Sequence, residues 1–254
     1  MLNVATWFLY LVFYSFVGWV YESALCSVLE KRFVNRGFLN GPVCPVYGFG
    51  AVLVIATLGS FKNVAVLFFG GMLLTCSLEF VTSLLLEKLF HAKWWDYSQY
   101  RFNLQGRICL QGALVFGALS VLVVLFIHPF VMGVLDAMPD NVVIGLSMTL
   151  FLGLFVDTAL TVRHLLILDG RLKEIQEAFN RFAEPYAKRA EVLKSTLLEK
   201  FEESEYFTER IRKLFSLSRF QDIRLARAFP RLRHFNYNDA WQKLKKFLLN
   251  GKEK

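Results

Sequence analysis

The chain lacks the motifs that define the common soluble enzyme classes. It contains no GxxxxGK[ST] loop for nucleotide phosphates, no HExxH zinc motif, no GxSxG nucleophile turn and no dinucleotide fingerprint. Its four histidines are too widely separated to indicate a metal site, and no motif identifies a cofactor. Its four cysteines form no CxxC pair and do not indicate a disulfide framework.

Charged residues are also scarce in the first two thirds of the chain. Residues 1–168 hold nine Lys/Arg and eight Asp/Glu, whereas residues 169–254 hold twenty and thirteen. With 55% hydrophobic residues and a mean hydropathy of +0.42, the chain is too apolar for an ordinary soluble domain. We therefore predict an all-α membrane protein, with a transmembrane domain over 1–168 and a basic helical tail over 169–254.

Five apolar runs are long enough to cross a bilayer about 30 Å thick, which takes roughly 20 residues. Basic residues are concentrated in the loops that follow the first and third runs. The positive-inside rule therefore predicts that the N-terminus lies outside and the tail in the cytoplasm. The five predicted spans are residues 5–29, 45–61, 64–86, 108–130 and 142–166.

Two hairpins share a sequence pattern that predicts an internal repeat. Glu22 corresponds to Glu79 at an offset of 57 residues. The pattern Arg36-x-x-Leu-Asn-Gly-x-x-Cys44 corresponds to Arg101-x-x-Leu-Gln-Gly-x-x-Cys109 at an offset of 65. Because each copy has two spans, the copies share one orientation, and parallel repeats in transporters form their site at the repeat interface. The alternative is two hairpins that resemble each other by convergence. The predicted copies are about 10–60 and 67–128.

Glu22 and Glu79 lie inside apolar runs, about 12 Å deeper than the glutamates eight residues later. A carboxylate within the bilayer costs roughly 2.5–3.5 kcal/mol, so each should face a partner or a wet cavity. The candidate partners, if the loops fold back into the bundle, are Arg36, Arg101 and Arg107.

Segment 36–48 is predicted to be a re-entrant or broken-helix element. Gly41-Pro42 and Cys44-Pro45 rule out a regular helix before about residue 46. Such a backbone is tolerated at membrane depth only where protein or a cavity satisfies its polar groups. The alternative is a cytoplasmic turn whose Asn40 caps the second span. The candidate substrate-binding residues are Glu22, Arg36, Asn40, Cys44, Tyr47, Glu79, Asp96, Arg101, Asn103, Arg107 and Cys109.

Two smaller features accompany the spans. Asp157 in the fifth run has either a functional role or a local pairing with Arg163 or His164. An aromatic group between the third and fourth runs fits a belt at the membrane interface. That group is Trp94, Trp95, Tyr97 and Tyr100.

The tail combines a helical period with a cationic stretch. Residues 210–233 interleave basic and apolar side chains, which favours contact with anionic lipid headgroups. A partner protein or a second copy of the chain are alternatives, and nucleic acid is a lesser one. The apolar period falls on Leu172, Ile175, Phe179, Phe182, Tyr186, Leu193, Leu197 and Phe201.

These blocks together resemble a known bacterial family. The blocks are Glu22, Arg36–Gly48, Glu79, Trp95-Asp96-Tyr97-Ser98 and Asn103-x-x-Gly106-Arg107-Ile-Cys-Leu110. They are similar to the ABC-transporter type IV family of CmpB-like permeases, formerly a domain of unknown function. The resemblance covers roughly residues 10–120, with a weaker similarity at Ala228–Pro230. It implies a bacterial inner-membrane protein with a role in transport.

Three functions remain open from the sequence. The leading hypothesis is a transporter or permease-like component with a polar site between the two repeated hairpins. The second is a membrane-embedded enzyme or binding protein for a phosphate-bearing lipid, in which Arg36, Arg101 and Arg107 hold the headgroup. The third is a membrane scaffold that recruits partners through its tail.

Overall fold

The structure is a computed structural model that describes residues 2–187, 207, 209–216 and 220–250. The side chains of residues 185–187, 210, 216 and 250 are not part of that description. Several positions of the predicted tail pattern therefore lie outside the described residues. These are Leu193, Leu197, Phe201 and Arg219, together with the side chains of Tyr186 and Arg210.

The described chain is mainly helical, as the composition predicts. Only four two-residue strands occur in the described ranges, namely β1 (Ala92–Lys93), β2 (Asn103–Leu104), β3 (Ile108–Cys109) and β4 (Arg233–His234). A π-helical turn at Val123–Ile127 joins two of the helices. The helices are α1 (Leu2–Glu30), α2 (Pro45–Leu58), α3 (Val64–Phe90), α4 (Leu110–Leu122), α5 (His128–Asp136), α6 (Asp140–Ala187), α7 (Glu209–Ser216), α8 (Phe220–Ala228) and α9 (Asn238–Asn250).

Four helices within the described residues are long and apolar enough to cross a membrane. The prediction of an all-α membrane protein is therefore confirmed. The second predicted span forms α2, which has only 14 residues and a length of about 21 Å. It is short because the polar segment before it occupies residues up to Cys44 and a turn begins at Gly59. The four long apolar segments are Leu2–Glu30, Val64–Phe90, Leu110–Asp136 and Asp140–Glu184.

The chain forms two compact units, and the first consists of residues up to Leu85 together with Trp95–Thr161. Its core is divided into small apolar clusters where the helices meet. Tyr10 and Tyr14 of α1 pack with Ile55 of α2 and Val131 of α5. The two other clusters are Ala5, Leu9 and Val143, and Val54, Leu67 and Val124.

Large apolar side chains cover the outside of the first unit. Leu73 is 68% exposed, and phenylalanines on the helices that follow are exposed to a similar degree. Exposed apolar surface on this scale is unfavourable in water, but it is what lipid contact requires. The exposed phenylalanines include Phe126, Phe130, Phe151 and Phe155.

Glycines let α1 and α2 approach closely. A Cβ atom at Gly48 would collide with the hydroxyl of Ser15 and the carbonyl of Leu11, both on α1. A Cβ atom at Gly18 would collide with the side chain of Tyr47. These two glycines therefore bring Tyr47 of α2 directly against α1, beside the turn that carries Glu22.

The second unit consists of Leu86–Trp94 together with the chain from Val162 onward. Strand β1 pairs antiparallel with β4, and the ring of Trp94 packs edge-to-face on Phe229 with centroids 5.0 Å apart. The first four residues of the predicted apolar period are buried in this unit, and they lie on the same continuous helix as the last predicted span. These four are Leu172, Ile175, Phe179 and Phe182.

A buried charge cluster lies in the second unit. Asp222 is fully buried and accepts a hydrogen bond of 2.8 Å from Arg171, and His164 Nε2 lies 2.9 Å from its other oxygen. Arg171 also donates to the carbonyl of Leu214 at 2.6 Å. Arg224 from the predicted cationic stretch is 6% exposed, so this arginine does not belong to a surface that contacts lipid.

Candidate functional site

The site is built around Glu22, which lies on α1 eight residues before the helix ends. The hydroxyl of Tyr47 donates to Glu22 Oε1 at 2.5 Å, and Arg36 Nε lies 3.4 Å from Glu22 Oε2. The side chains of Glu22 and Arg36 are only 25% and 21% exposed. One of the three predicted arginines is therefore the ion-pair partner of the first glutamate.

The segment between α1 and α2 runs back along α1. Its backbone is bound in turn by hydroxyls of Ser27 and Ser23, through the N–H groups of Val34 at 2.9 Å and Arg36 at 3.1 Å. Its last residue, Cys44, donates its N–H to the carbonyl of Ser15 at 2.9 Å. Twelve residues of α1 separate the first and last of these contacts, a rise of about 18 Å. This path agrees with the re-entrant interpretation, and the contacts satisfy polar groups of the backbone.

Asp157 of α6 holds the middle of the same segment. Its carboxylate accepts from the N–H of Gly41 at 2.8 Å and from the N–H of Asn40 at 3.1 Å. The amide of Asn40 donates to Asp157 at 2.9 Å and to Thr161 at 2.8 Å. The predicted local pairing of Asp157 with Arg163 or His164 is wrong, because its oxygens face this segment while His164 contacts Asp222.

The alternative role of Asn40 as the cap of the second span is also wrong. The residue that precedes α2 is Cys44, which makes no side-chain capping bond, and Pro45 lacks the N–H that a cap would bind. The thiol of Cys44 instead donates to the carbonyl of Arg36 at 3.4 Å. Gly37 adopts φ of 152°, a backbone conformation that favours glycine in this turn.

The second predicted acid, Glu79, is held by a residue of the long loop after α3. Its side chain is hydrogen-bonded to Tyr97, and Glu22 is close enough for its charge to act on Glu79. Tyr97 is fixed by a bond from its N–H to the carbonyl of Gly106 at 2.8 Å. Burial first, and then the charge of Glu79, raise the pKa of the Tyr97 hydroxyl, so it remains a hydrogen-bond donor. The sequence places Tyr97 in an aromatic belt and in a block that resembles the family, but nothing in the sequence marks it as a partner of Glu79.

Glu79 lines a cavity of about 180 Å³ between helices of the first unit. Its wall is mainly apolar, with Leu78, Val54 and Phe116 among the contacts. Tyr47 is the centre of its aromatic part, with ring centroids 6.3 Å from Tyr21 and 5.9 Å from Phe116. Glu79 and Tyr47, whose hydroxyl donates to Glu22, thus lie where an apolar cavity meets a polar cluster.

The far part of this cavity is lined by Tyr14, whose hydroxyl is 3.4 Å from His128 Nδ1. The ring of His128 also packs edge-to-face on Tyr10 at 4.8 Å. His128 follows the π-helical turn, and π-helical turns occur frequently at functional sites. No sequence motif marked this group, because it consists of single residues on separate helices.

The chain resembles a known family over its first unit. A family model described as Putative ABC-transporter type IV matches residues 9–162, which is more than half of the chain. The chain belongs to this family. The expected resemblance over residues 10–120 therefore extends to the middle of α6, and the matched range does not reach Ala228–Pro230. No curated protein and no solved structure matches the chain.

Two further candidate residues, Asp96 and Asn103, make hydrogen bonds within the loop before α4. Asp96 accepts from the N–H and hydroxyl of Ser98 at 3.0 and 2.6 Å. Asn103 accepts from the N–H of Gly106 at 2.8 Å and donates to the carbonyl of Tyr100 at 2.7 Å. These contacts shape the β2–β3 turn that positions Tyr97.

The two other candidate arginines contact aromatic rings. Arg101 is exposed, with its guanidinium 5.7 Å from the ring centroid of Phe102. Arg107 lies 5.5 Å from the ring centroid of Phe80 and donates to Gln105 at 2.5 Å. Cys109 is buried as the residue before α4, where its sulfur accepts from the N–H of Gly112 at 3.5 Å.

Proposed function

We propose that this family member is a membrane transport component in which the substrate exchanges at Glu22 and Glu79. The observation that carries the proposal is that Glu79 lines the cavity while Glu22, from the other predicted hairpin, is close enough for its charge to act on Glu79. Glu22 is also held by Tyr47, which lines the same cavity. Ionisable side chains within membrane helices face protein, water or a substrate path, because lipid does not solvate them. The two glutamates are also the deepest acids of the two hairpins.

The contacts of the site give the two glutamates different roles. Arg36 and Tyr47 hold Glu22 through an ion pair and a hydrogen bond. Glu79 lines the cavity and is hydrogen-bonded to Tyr97. In this proposal Glu79 contacts the substrate, and Glu22 with Arg36 forms the polar end of the path.

The proposal keeps the predicted parallel repeat and the predicted orientation. The N-terminus lies outside, the C-terminal unit is cytoplasmic and the membrane is the bacterial inner membrane, since basic residues concentrate in the loops after α1 and α3. Both Cys44 and Cys109 directly precede a helix, at positions that correspond in the two predicted copies. An ABC system needs an ATPase, and residues 1–254 contain no Walker motif.

The alternative of a phosphate-bearing lipid site has less support. It requires several guanidinium groups around one headgroup. Arg36 contacts Glu22, whereas Arg101 and Arg107 contact Phe102 and Phe80. We therefore favour transport over lipid chemistry at this site.

The test is complementation of a deletion strain with the double variant Glu22→Gln/Glu79→Gln. Glutamine keeps the size and hydrogen-bonding capacity of the side chain but removes the charge. We expect the double variant to reach the membrane as a folded protein and to fail in complementation. Glu30→Gln is the matched control, since Glu30 is an exposed α1 glutamate that pairs with Arg32. Full complementation by the folded double variant would refute the proposal.

A further inference from the structure

We propose that the cavity beside Glu79 binds an organic ammonium ion of about the size of one aromatic ring. This inference deepens the proposed function and rests on it only for the transport of the bound ligand. The binding step itself follows from the volume, the wall and the charge of the cavity.

The volume sets the size of the ligand. The cavity measures about 180 Å³. An apolar protein cavity of about 150 Å³ is large enough to bind benzene. A ligand with one ring and a short substituent therefore fits the space, whereas a whole lipid acyl chain or a multi-ring molecule exceeds its volume.

The wall offers few oxygen ligands for a dehydrated metal ion and favours an organic body. Thr75 and Ser120 line the cavity, but their hydroxyls donate to carbonyls of their own helices at 2.7 and 2.8 Å. A metal cation that loses its water needs several oxygen ligands, typically six or more for the hard divalent ions. The mainly apolar wall offers few such ligands but gives favourable burial to a hydrocarbon ring.

The acidic side chain in the cavity favours a cationic ligand. The carboxylate of Glu22 is paired with Arg36. Glu79 receives a hydrogen bond from Tyr97, and no salt bridge joins it to any residue of the described ranges. An ionised Glu79 would favour a cationic ligand over an anionic one, because Glu79 lines the cavity. An ammonium group at Glu79 would supply the positive charge that a carboxylate in this environment requires.

The aromatic residues add a second element of recognition. Tyr21, Tyr47 and Phe116 form a continuous aromatic wall, with Tyr47 in the middle. Tyrosine and phenylalanine rings attract cations at their faces, and aromatic walls of this kind recognise ammonium ligands. The ammonium group would thus lie between Glu79 and the rings, with the hydrocarbon part toward Val54 and Leu78.

The test uses three probes of nearly equal size and different charge, namely benzylammonium, benzyl alcohol and benzoate. Binding is measured by isothermal titration calorimetry with the full-length protein in lipid nanodiscs, after subtraction of the heat from empty nanodiscs. We expect benzylammonium to bind at least about tenfold more tightly than benzyl alcohol, which corresponds to one charge-assisted contact. Benzoate should not bind.

Two variants separate charge from space. Glu79→Gln keeps the volume and should reduce benzylammonium binding to the level of benzyl alcohol. Ala51→Leu fills part of the cavity, keeps the charge and should weaken both probes by about tenfold or more. Glu30→Gln should bind all three probes as the native protein does.

Equal binding of benzylammonium and benzyl alcohol to the native protein would overturn the inference. An unchanged preference of Glu79→Gln for benzylammonium over benzyl alcohol would overturn it as well. If Glu79→Gln does not fold, unchanged binding of both probes to Ala51→Leu would overturn it. If Glu22→Gln/Glu79→Gln fails in complementation but the native protein does not bind benzylammonium, the transport proposal is supported and the proposed ligand class is refuted. If the native protein binds benzylammonium but the folded double variant complements fully, the transport proposal is refuted and the proposed ligand class is supported.

Discussion

The carboxylate of Asp157 binds Asn40 at two points, accepting from its backbone N–H at 3.1 Å and from its side-chain amide at 2.9 Å. These residues are 117 positions apart, so the contact fixes the re-entrant segment to the last long helix. Hydrogen bonds to a charged acceptor stabilise by about 1.5–3 kcal/mol each when their loss leaves donors unpaired. We expect Asp157→Ala to lower the free energy of unfolding by about 2–4 kcal/mol.

The loss should be concentrated in the re-entrant segment. Hydrogen exchange of the amides of Asn40 and Gly41 should become faster in Asp157→Ala, because both donate to the missing carboxylate. Thr158→Ala is the control, since the exposed Thr158 hydroxyl bonds only within α6, to the carbonyl of Leu154. Equal effects of the two substitutions would contradict the anchoring role.

The close approach of α1 and α2 predicts that a larger residue at Gly48 destabilises the protein. A methyl group there would collide with Ser15 and the backbone of Leu11, so Gly48→Ala should destabilise the protein by about 1–3 kcal/mol. Gly153→Ala is the matched control, because a Cβ there meets nothing within 4 Å. Thermal unfolding of both variants in the same detergent checks the prediction. A stable Gly48→Ala variant would show that the two helices can separate at no cost.

The ring and the hydroxyl of Tyr47 should contribute separately to binding. Tyr47→Phe keeps the aromatic wall and should bind benzylammonium within about threefold of the native affinity. Tyr47→Leu removes the ring and should weaken binding by about fivefold or more. Tyr21→Phe retains its ring at the edge of the same wall and serves as the control. Identical affinities of the Phe and Leu variants would exclude a cation–π contribution.

The buried charge cluster of the second unit predicts that substitution of Asp222 strongly lowers the free energy of unfolding. Removal of one partner from a buried ion pair leaves the other charge uncompensated and typically costs about 3–5 kcal/mol. Asp222→Ala leaves Arg171 without this partner, so we expect destabilisation of about that size. Glu177→Gln on the exposed side of α6 is the control and should change stability by less than about 0.5 kcal/mol. Unfolding measured by circular dichroism distinguishes the two.

His234 predicts a dependence of stability on pH. Burial lowers the pKa of its imidazole, and the nearby Asp169, 2.9 Å away, opposes this only in part. The unfolded chain therefore binds a proton more readily than the folded one, and folding loses stability as pH falls through about 6.5. Above that pH the contribution is fully present. The unfolding temperature of the native protein should fall more between pH 7.5 and about 5.5 than that of His234→Gln. Parallel pH profiles would contradict this.

The sequence predicted the parts of the site that obey local physical rules. Glu22 and Glu79 could be identified because an acid inside an apolar run needs compensation. Arg36 could be identified only as one of three candidate partners, on the expectation that the Gly- and Pro-rich segment returns toward the helices. Four helices could be recognised by length, whereas the shortness of α2 depends on how far the polar segment extends.

The other site residues depend on contacts that no local pattern specifies. Tyr97 reaches Glu79 only because the β2–β3 turn and Gly106 position its backbone. In the sequence it is one of several aromatic residues near a membrane interface. Asp157 could be paired with charges on its own helix, but its true partners, Asn40 and Gly41, lie far away in the chain. Long-range pairing of this kind requires the tertiary structure.

The pairing of β1 with β4 determines when the second unit can fold during synthesis. Residues Ala92 and Lys93 leave the ribosome about 140 residues before their partners, His234 and Arg233. During that interval the segment that ends in Trp94 has neither its strand partner nor the ring of Phe229. The second unit therefore cannot close until Arg233 and His234 have been synthesised, and nascent chains arrested before Arg233 should leave Trp94 accessible to a chaperone or protease.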